Sequence, residues 1–98
     1  MNFGNKPQSL QSLLKDYLKK SPHKKELRKG MVMHLWPQIV GDKIAKATIK
    51  LKFEGEKLVV YMESEAWRHE LHMNRYSIMK KLNDRIEFNL IKEIIVRS

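Results

Sequence analysis

The fold is decided by residues 48–63, which read TIKLKFEGEKLVVYME. In the first part of this stretch apolar and polar side chains alternate with a period of two, which is typical of a half-buried strand. One face carries Ile49, Leu51 and Phe53, and the opposite face carries Thr48, Lys50 and Lys52. Glu54-Gly55-Glu56 supplies a turn, and Leu58 to Glu63 is a second strand rich in Val, Tyr and Leu. The stretch therefore predicts a β-hairpin.

A long helix and a last strand follow the hairpin. Ser64 caps the helix, and the carboxylate of Glu65 in the first turn favours the positive end of the helix dipole. Four apolar residues then share one side of the helical wheel and predict a core face: Trp67, Leu71, Ile78 and Leu82. Ile91 to Val96 is a strand, and a right-handed crossover through the helix brings it into a mixed sheet with the hairpin.

Two helices precede the hairpin. From Gln8 to Lys20 apolar residues recur with the spacing of an amphipathic helix, at Leu10, Leu13, Leu14, Tyr17 and Leu18. Ser21-Pro22 stops this helix and starts a second one that runs from Pro22 to about Trp36. Pro37 ends or kinks the second helix, and Gln38 to Ala45 form one or two further turns around Gly41. Residues 1–7 are expected to form a flexible N-terminus.

The elements follow the order helix, helix, strand, strand, helix, strand (ααββαβ) within one domain, residues 1–98. Because the helices must cover one face of the sheet, we expect a two-layer α+β domain with a small three-stranded mixed sheet covered by helices. The uncovered face would then carry Lys50 and Lys52 together with Val59 and Tyr61.

Composition limits the class of protein. No apolar run approaches the roughly 20 residues that span a bilayer, and Met1 to Leu10 lacks the apolar region of a signal peptide. The absence of cysteine excludes disulfides and thiolate metal sites and fits a reducing compartment. We therefore expect a cytoplasmic protein without a membrane contact.

The positive charge is concentrated in the first third of the chain. The formal net charge is +9, and residues 1–30 supply +6 of it, so this part of the chain attracts polyanions most strongly. The candidate nucleic-acid-binding residues are Lys15, Lys19, Lys20, Lys24, Lys25, Arg28 and Lys29, together with Lys50 and Lys52 of the hairpin. Charge alone leaves open whether these residues contact nucleic acid, contact an acidic protein or form a solvated surface.

No catalytic or metal-binding pattern is present in the sequence. Glu65, His69, His72 and Tyr76 share a helical face, but this face lies opposite Trp67, and the segment is one residue short of a zinc-protease motif. The chain has neither a nucleophile elbow nor a glycine-rich phosphate loop. We expect no enzymatic activity, no cofactor, no metal and no small-molecule substrate.

Two tryptophan phrases carry a resemblance to a known family. The first is residues 36–41 (WPQIVG), followed by Ile44-Ala45, and the second is residues 64–67 (SEAW), followed by Leu71. With Leu82-Asn83 and the closing Ile94-Ile95-Val96, this order resembles the DciA family from about Leu10 to the last strand. The residues that serve as structural markers of the resemblance are Trp36, Val40, Gly41, Trp67 and Leu71.

The resemblance implies a KH-like fold and a role in bacterial DNA replication. The expected partners are the replicative DNA helicase, which the protein would help to load, and single-stranded DNA. A Gly-x-x-Gly loop is absent, so KH-type RNA recognition is not assumed. Trp36 and Trp67 lie on apolar helical faces and are interpreted as core anchors.

Three hypotheses follow from the sequence. The first is a non-enzymatic replication accessory that contacts the helicase and binds single-stranded DNA through the basic surface. The second is a protein-interaction module whose basic helices bind an acidic partner without nucleic-acid contact. The third is a KH-like module that prefers RNA to DNA.

Overall fold

The computed structural model describes Ser12 and residues 24–98. Its elements are α1 (Lys24–Val40), α2 (Asp42–Ala47), β1 (Thr48–Glu54), β2 (Lys57–Met62), α3 (Glu65–Ile86) and β3 (Glu93–Arg97). The predicted α+β class and the order ααββαβ are confirmed. The flexible N-terminus, the helix predicted over Gln8–Lys20 and the restart at Ser21-Pro22 lie outside the described residues, apart from Ser12. No described helix is long and apolar enough to cross a membrane.

The sheet has the strand order β1-β2-β3, with β1 antiparallel and β3 parallel to the central strand. A two-residue turn, Gly55-Glu56, joins β1 to β2. The φ angle is positive at Gly55, at +62°, and negative at Glu56. This combination of signs is that of a type II′ turn. The predicted hairpin and the mixed sheet are thus present.

A β-bulge at Ile49 overturns the predicted alternation at the start of β1. Thr48 pairs with Met62 and Lys50 pairs with Tyr61, so Ile49 is an extra residue without a partner. Its side chain is 60% exposed instead of lying on the core face. Thr48, predicted on the outer face, instead accepts a hydrogen bond from Trp36 Nε1 at 3.1 Å and donates one to the Ile44 carbonyl at 2.7 Å.

The core lies between the helices and the inner face of the sheet. The central strand contributes Leu58, Val60 and Met62, all fully buried. Trp36 is 3% exposed, and Trp67 is partly buried against the same core. The other buried helical residues of this core are Met31, Val32, Leu35, Leu71, Ile78, Leu82 and Ile86.

The sequence predicted that Pro37 ends or kinks the second helix; in the structure α1 does not end there but continues to Val40. Proline removes one backbone donor, and Pro37 lies on an exposed part of the helix, where water can bond the carbonyl that loses its donor. The Pro37 carbonyl still accepts from Gly41 N at 2.9 Å. The break falls at Gly41, whose φ of +88° is unfavourable for other residues, and α2 begins immediately after it.

Both ends of α3 are closed by hydrogen bonds. Ser64 Oγ accepts from Trp67 N at 3.2 Å, as expected for an N-cap. At the other end Glu87 adopts the left-handed conformation, with φ 55° and ψ 39°. Phe88 N then donates to the Asn83 carbonyl at 3.2 Å, so the chain leaves the helix in a fixed direction.

The side chain of Asn83 connects α3 to the beginning of β3. Its Oδ1 accepts from Ile91 N at 2.9 Å, and its Nδ2 donates to the Ile91 carbonyl at 2.8 Å and to Asn89 Oδ1 at 3.3 Å. Asn83 is the buried polar residue among those described, at 7% exposure. Because the amide pairs both backbone groups of Ile91, the segment before β3 can lie in the core with these groups hydrogen-bonded.

Replacing Asn83 by Ala should destabilise the protein, because both backbone groups of buried Ile91 lose their partners. We expect a loss of about 2–3 kcal/mol in the free energy of unfolding, measured by urea denaturation. Asn74→Ala is the matched control, since Asn74 is exposed on the same helix and the substitution changes helix propensity equally. Equal unfolding free energies for the two variants would contradict this role of Asn83.

Candidate nucleic-acid interface

The basic residues at the start of α1 lie beside the loop that joins α3 to β3. Lys24 and Lys25 are exposed, and Arg28, one turn further on, is half-buried. These three side chains line a surface pocket of about 250 Å³ together with Phe88, Asn89, Leu90 and Glu56. We call these residues the basic pocket. Its three cations exceed its one carboxylate, so it attracts anions.

An arginine and an aromatic ring form the floor of the basic pocket. The guanidinium carbon of Arg28 lies 3.8 Å from the centroid of the Phe88 ring, within the range of a cation–π interaction. Arg28 Nε is buried and has no hydrogen-bond partner within residues 24–98, so stacking on Phe88 is the contact that orients this group. Phe88 remains 45% exposed, and a second flat group can approach it.

Lys29 points away from the basic pocket. Its ammonium group lies 5.5 Å above the ring of Phe53 on β1 and 3.9 Å from Glu26, and its side chain is 23% exposed. Lys29 therefore lies near the inner side of β1, although it is adjacent in sequence to Arg28. The structure separates it from the other three candidate residues of α1.

Lys50 and Lys52 lie on the opposite, outer face of the sheet. Both are exposed, and Lys50 Nζ lies 5.8 Å from the ring centroid of Tyr61, as the paired register of β1 and β2 requires. These lysines therefore form a second basic surface, which the sheet separates from the basic pocket. Lys15, Lys19 and Lys20 lie outside the described residues.

Ion pairs neutralise part of the outer face. Arg97 Nη1 lies 3.3 Å from Glu54 Oε2, and Lys57 Nζ lies 3.9 Å from Glu93 Oε2. The first pair joins the two edge strands, β1 and β3, so its side chains extend across the central strand β2. Val59 of β2 is fully buried. Lys50 and Lys52 have no carboxylate within 4 Å among residues 24–98, so no ion pair offsets them there.

Sequence reasoning did not identify Phe88 as part of a site. Phe88 follows the end of α3 and belongs to no periodic segment, so its exposure and its contact with Arg28 have no sequence signal. The His and Glu residues of α3 assemble no metal site, since residues 24–98 contain no group of three potential ligands. Two aromatic rings are exposed in the described part, Phe88 in the basic pocket and Tyr76 on α3, and only Phe88 lies among the cations of that pocket.

Comparison with known proteins identifies relatives of the chain. The family model described as "Dna[CI] antecedent, DciA" matches residues 9–96. A "UPF0232 protein" of Corynebacterium glutamicum (strain R) is 29% identical over 87 residues, which are 89% of this chain and 49% of the relative. A second "UPF0232 protein", from Streptomyces avermitilis, is 28% identical over 71 residues, which are 70% of this chain and 39% of the relative.

The chain thus spans about half or less of the length of these curated relatives. The family match covers nearly the whole chain and includes both tryptophan phrases, the hairpin and the Leu82-Asn83 pair. The chain belongs to the DciA family.

Proposed function

We propose that this chain is a non-enzymatic replication accessory that contacts the replicative helicase and binds single-stranded DNA at the basic pocket. Membership of the DciA family supports a replication role of the helicase-loader type in general. The contact with DNA and the contact with the helicase are separate parts of the proposal, and each has its own test.

The observation that carries the DNA contact is the exposed Phe88 ring among three cations. Single-stranded DNA offers phosphates, which lysines bind, and unpaired bases, which stack on aromatic side chains. In the basic pocket Lys24 and Lys25 are the exposed cations, and Phe88 is the exposed ring. A pocket of about 250 Å³ can receive one nucleotide rather than a folded nucleic acid.

Arg28 has a different role from the two lysines in this proposal. It contacts one side of Phe88 at 3.8 Å and is half-buried, so it holds the ring in place and adds positive charge beneath it. A base that stacks on the exposed part of Phe88 would complete a layered arrangement of base, ring and guanidinium. Lys24 and Lys25 would then neutralise the flanking phosphates.

Replacing Lys24 and Lys25 together by Gln should weaken single-stranded DNA binding and flatten its salt dependence. The slope of log affinity against log salt should become smaller by about 1 to 1.5, because each lost phosphate contact contributes roughly 0.7 on single strands. Fluorescence anisotropy with a labelled oligonucleotide at several salt concentrations measures this slope.

Lys80→Gln with Lys81→Gln is the matched control for the charge experiment. These two lysines are also adjacent and exposed on a helix, and they do not line the basic pocket. The control removes the same charge and should leave the slope close to that of the unmodified chain. Equal slopes for the two double variants would rule out the basic pocket as the DNA contact.

Replacing Phe88 by Leu should lower the affinity for single-stranded DNA without changing the salt slope. The expected loss is at least about fivefold, because stacking of a base on an aromatic ring contributes roughly 1–3 kcal/mol. Phe88→Trp should restore the affinity, since it restores an aromatic surface. An unchanged affinity in the Leu variant, measured by the same anisotropy assay, would exclude stacking at this position.

The helicase contact is tested with the purified replicative helicase of the same organism and the immobilised chain. We expect the helicase to be retained after nuclease treatment, because the proposed contact is direct. The Lys24→Gln, Lys25→Gln variant should retain it equally if the helicase contacts another surface. Loss of retention after nuclease treatment would show bridging by nucleic acid and would contradict the direct contact.

The same assays distinguish the other two hypotheses. A protein-interaction module retains the helicase but shows no anisotropy change with DNA or RNA at low salt. A KH-like RNA-binding module binds RNA more tightly than DNA of equal sequence. Either result would overturn the proposed DNA contact.

A further inference from the structure

We propose that the free edge of β1 binds an extended acidic segment of a partner protein, which adds to the sheet as a fourth strand. This inference goes beyond the proposed function, since it requires neither DNA nor the basic pocket. It rests on the backbone groups at the edge, the side chains on each side of them and the charge of the lysines nearby.

The backbone of β1 presents unpaired groups at this edge. Glu54 and Lys57 flank the two-residue turn and therefore form a hydrogen-bonded pair. Hydrogen-bonded and non-hydrogen-bonded pairs alternate along an antiparallel ladder, so the next hydrogen-bonded pairs are Lys52 with Val59 and Lys50 with Tyr61. The intervening Leu51 and Phe53 point their N–H and C=O groups away from β2. Within residues 24–98 these groups bond no other element.

The two sides of the edge differ in polarity. On the outer side are Lys50 and Lys52, which are exposed and have no carboxylate partner among the described residues. On the inner side a groove of about 330 Å³ lies between the helices and the start of β1. Most of its lining is apolar, namely Met33, Trp36, Pro37, Ala45, Ile49 and Leu51, with Thr48 and with Lys50 at its margin. Met33 and Ile49 are exposed at 36% and 60%.

An added strand must match this difference at successive residues, because side chains alternate between the two faces of a sheet. Residues beside Lys50 and Lys52 should be acidic, since opposite charges on neighbouring strands attract. Residues that face the groove should be apolar. The occupant is therefore an extended segment in which acidic and apolar residues alternate.

The charge of the edge selects against a second copy of this chain. Pairing two such edges would bring Lys50 and Lys52 of both copies together, and lysines are a common device against edge-to-edge association. The bulge at Ile49 ends the regular edge, so the added strand pairs with residues 50–54 and is short.

The test uses the full chain and a synthetic, end-blocked peptide that alternates Glu and Val over six residues. Nuclear magnetic resonance should show shifted and exchange-protected amides at Leu51 and Phe53 on peptide addition. A peptide with the same composition but with the three Glu and the three Val grouped should bind much more weakly. Absence of binding by the alternating peptide, or shifts confined to other elements, would overturn the proposal.

Charge reversal tests the role of the two lysines. Lys50→Glu with Lys52→Glu should lower peptide affinity by about tenfold or more, because two attractive cross-strand pairs become repulsive. Lys80→Glu with Lys81→Glu is the matched control and should leave it unchanged. An unchanged peptide affinity in the Lys50, Lys52 variant, with a loss of oligonucleotide affinity instead, would make this edge a nucleic-acid surface and overturn the proposal.

N-methylated peptides test the backbone pairing without altering the protein. In an antiparallel addition the amides of the groove-facing Val residues point to β1, and in a parallel addition those of the Glu residues do. Methylation of one of these two sets should therefore abolish binding while methylation of the other is tolerated. Tolerance of both would exclude strand addition even if the peptide binds.

Discussion

The hydrogen bonds between the Asn83 side chain and the backbone of Ile91 are the constraint on which the rest of the structure depends. They join the end of α3 to the segment that leads into β3, and they pair the backbone groups of Ile91, which is buried in the core. The short loop between them is fixed as a result, and Phe88 in that loop is held against Arg28 of α1. The buried side-chain amide of Asn83 thus stabilises the core and also positions Phe88 in the basic pocket.

One extra residue in β1 has a comparable effect at the other end of the sheet. Because Ile49 has no partner in β2, Thr48 turns inward and links the Trp36 indole to the carbonyl of Ile44. The same bulge leaves Ile49 exposed beside the free edge. The tryptophan of the first family phrase is therefore held by a polar contact as well as by packing, and the edge acquires an apolar side.

The sheet separates the basic pocket from the two exposed lysines of β1. The basic pocket combines Lys24, Lys25 and Arg28 with an exposed ring, which suits single-stranded DNA. The lysines of β1 lie on the outer face at an unpaired strand edge, which suits an acidic extended segment. With both proposals, a small domain of the DciA family would hold nucleic acid and a protein partner on separate faces.

The sequence by itself determined the hairpin, the N-cap and core face of α3, and the order of elements. These follow from local rules, because side-chain periodicity and capping residues act within a few positions of the chain. Only the tertiary structure decided the bulge at Ile49, the passage of α1 through Pro37 and the contact of Arg28 with Phe88. Each depends on contacts with residues that are distant in sequence or on the exposure of a residue to water. A local sequence pattern predicts neither of these. The positive charge of the candidate site was predictable, because composition gives it. The presence of Phe88 in the site and the separation of Lys50 and Lys52 from it were not predictable, because the packing of the helices and the sheet creates both.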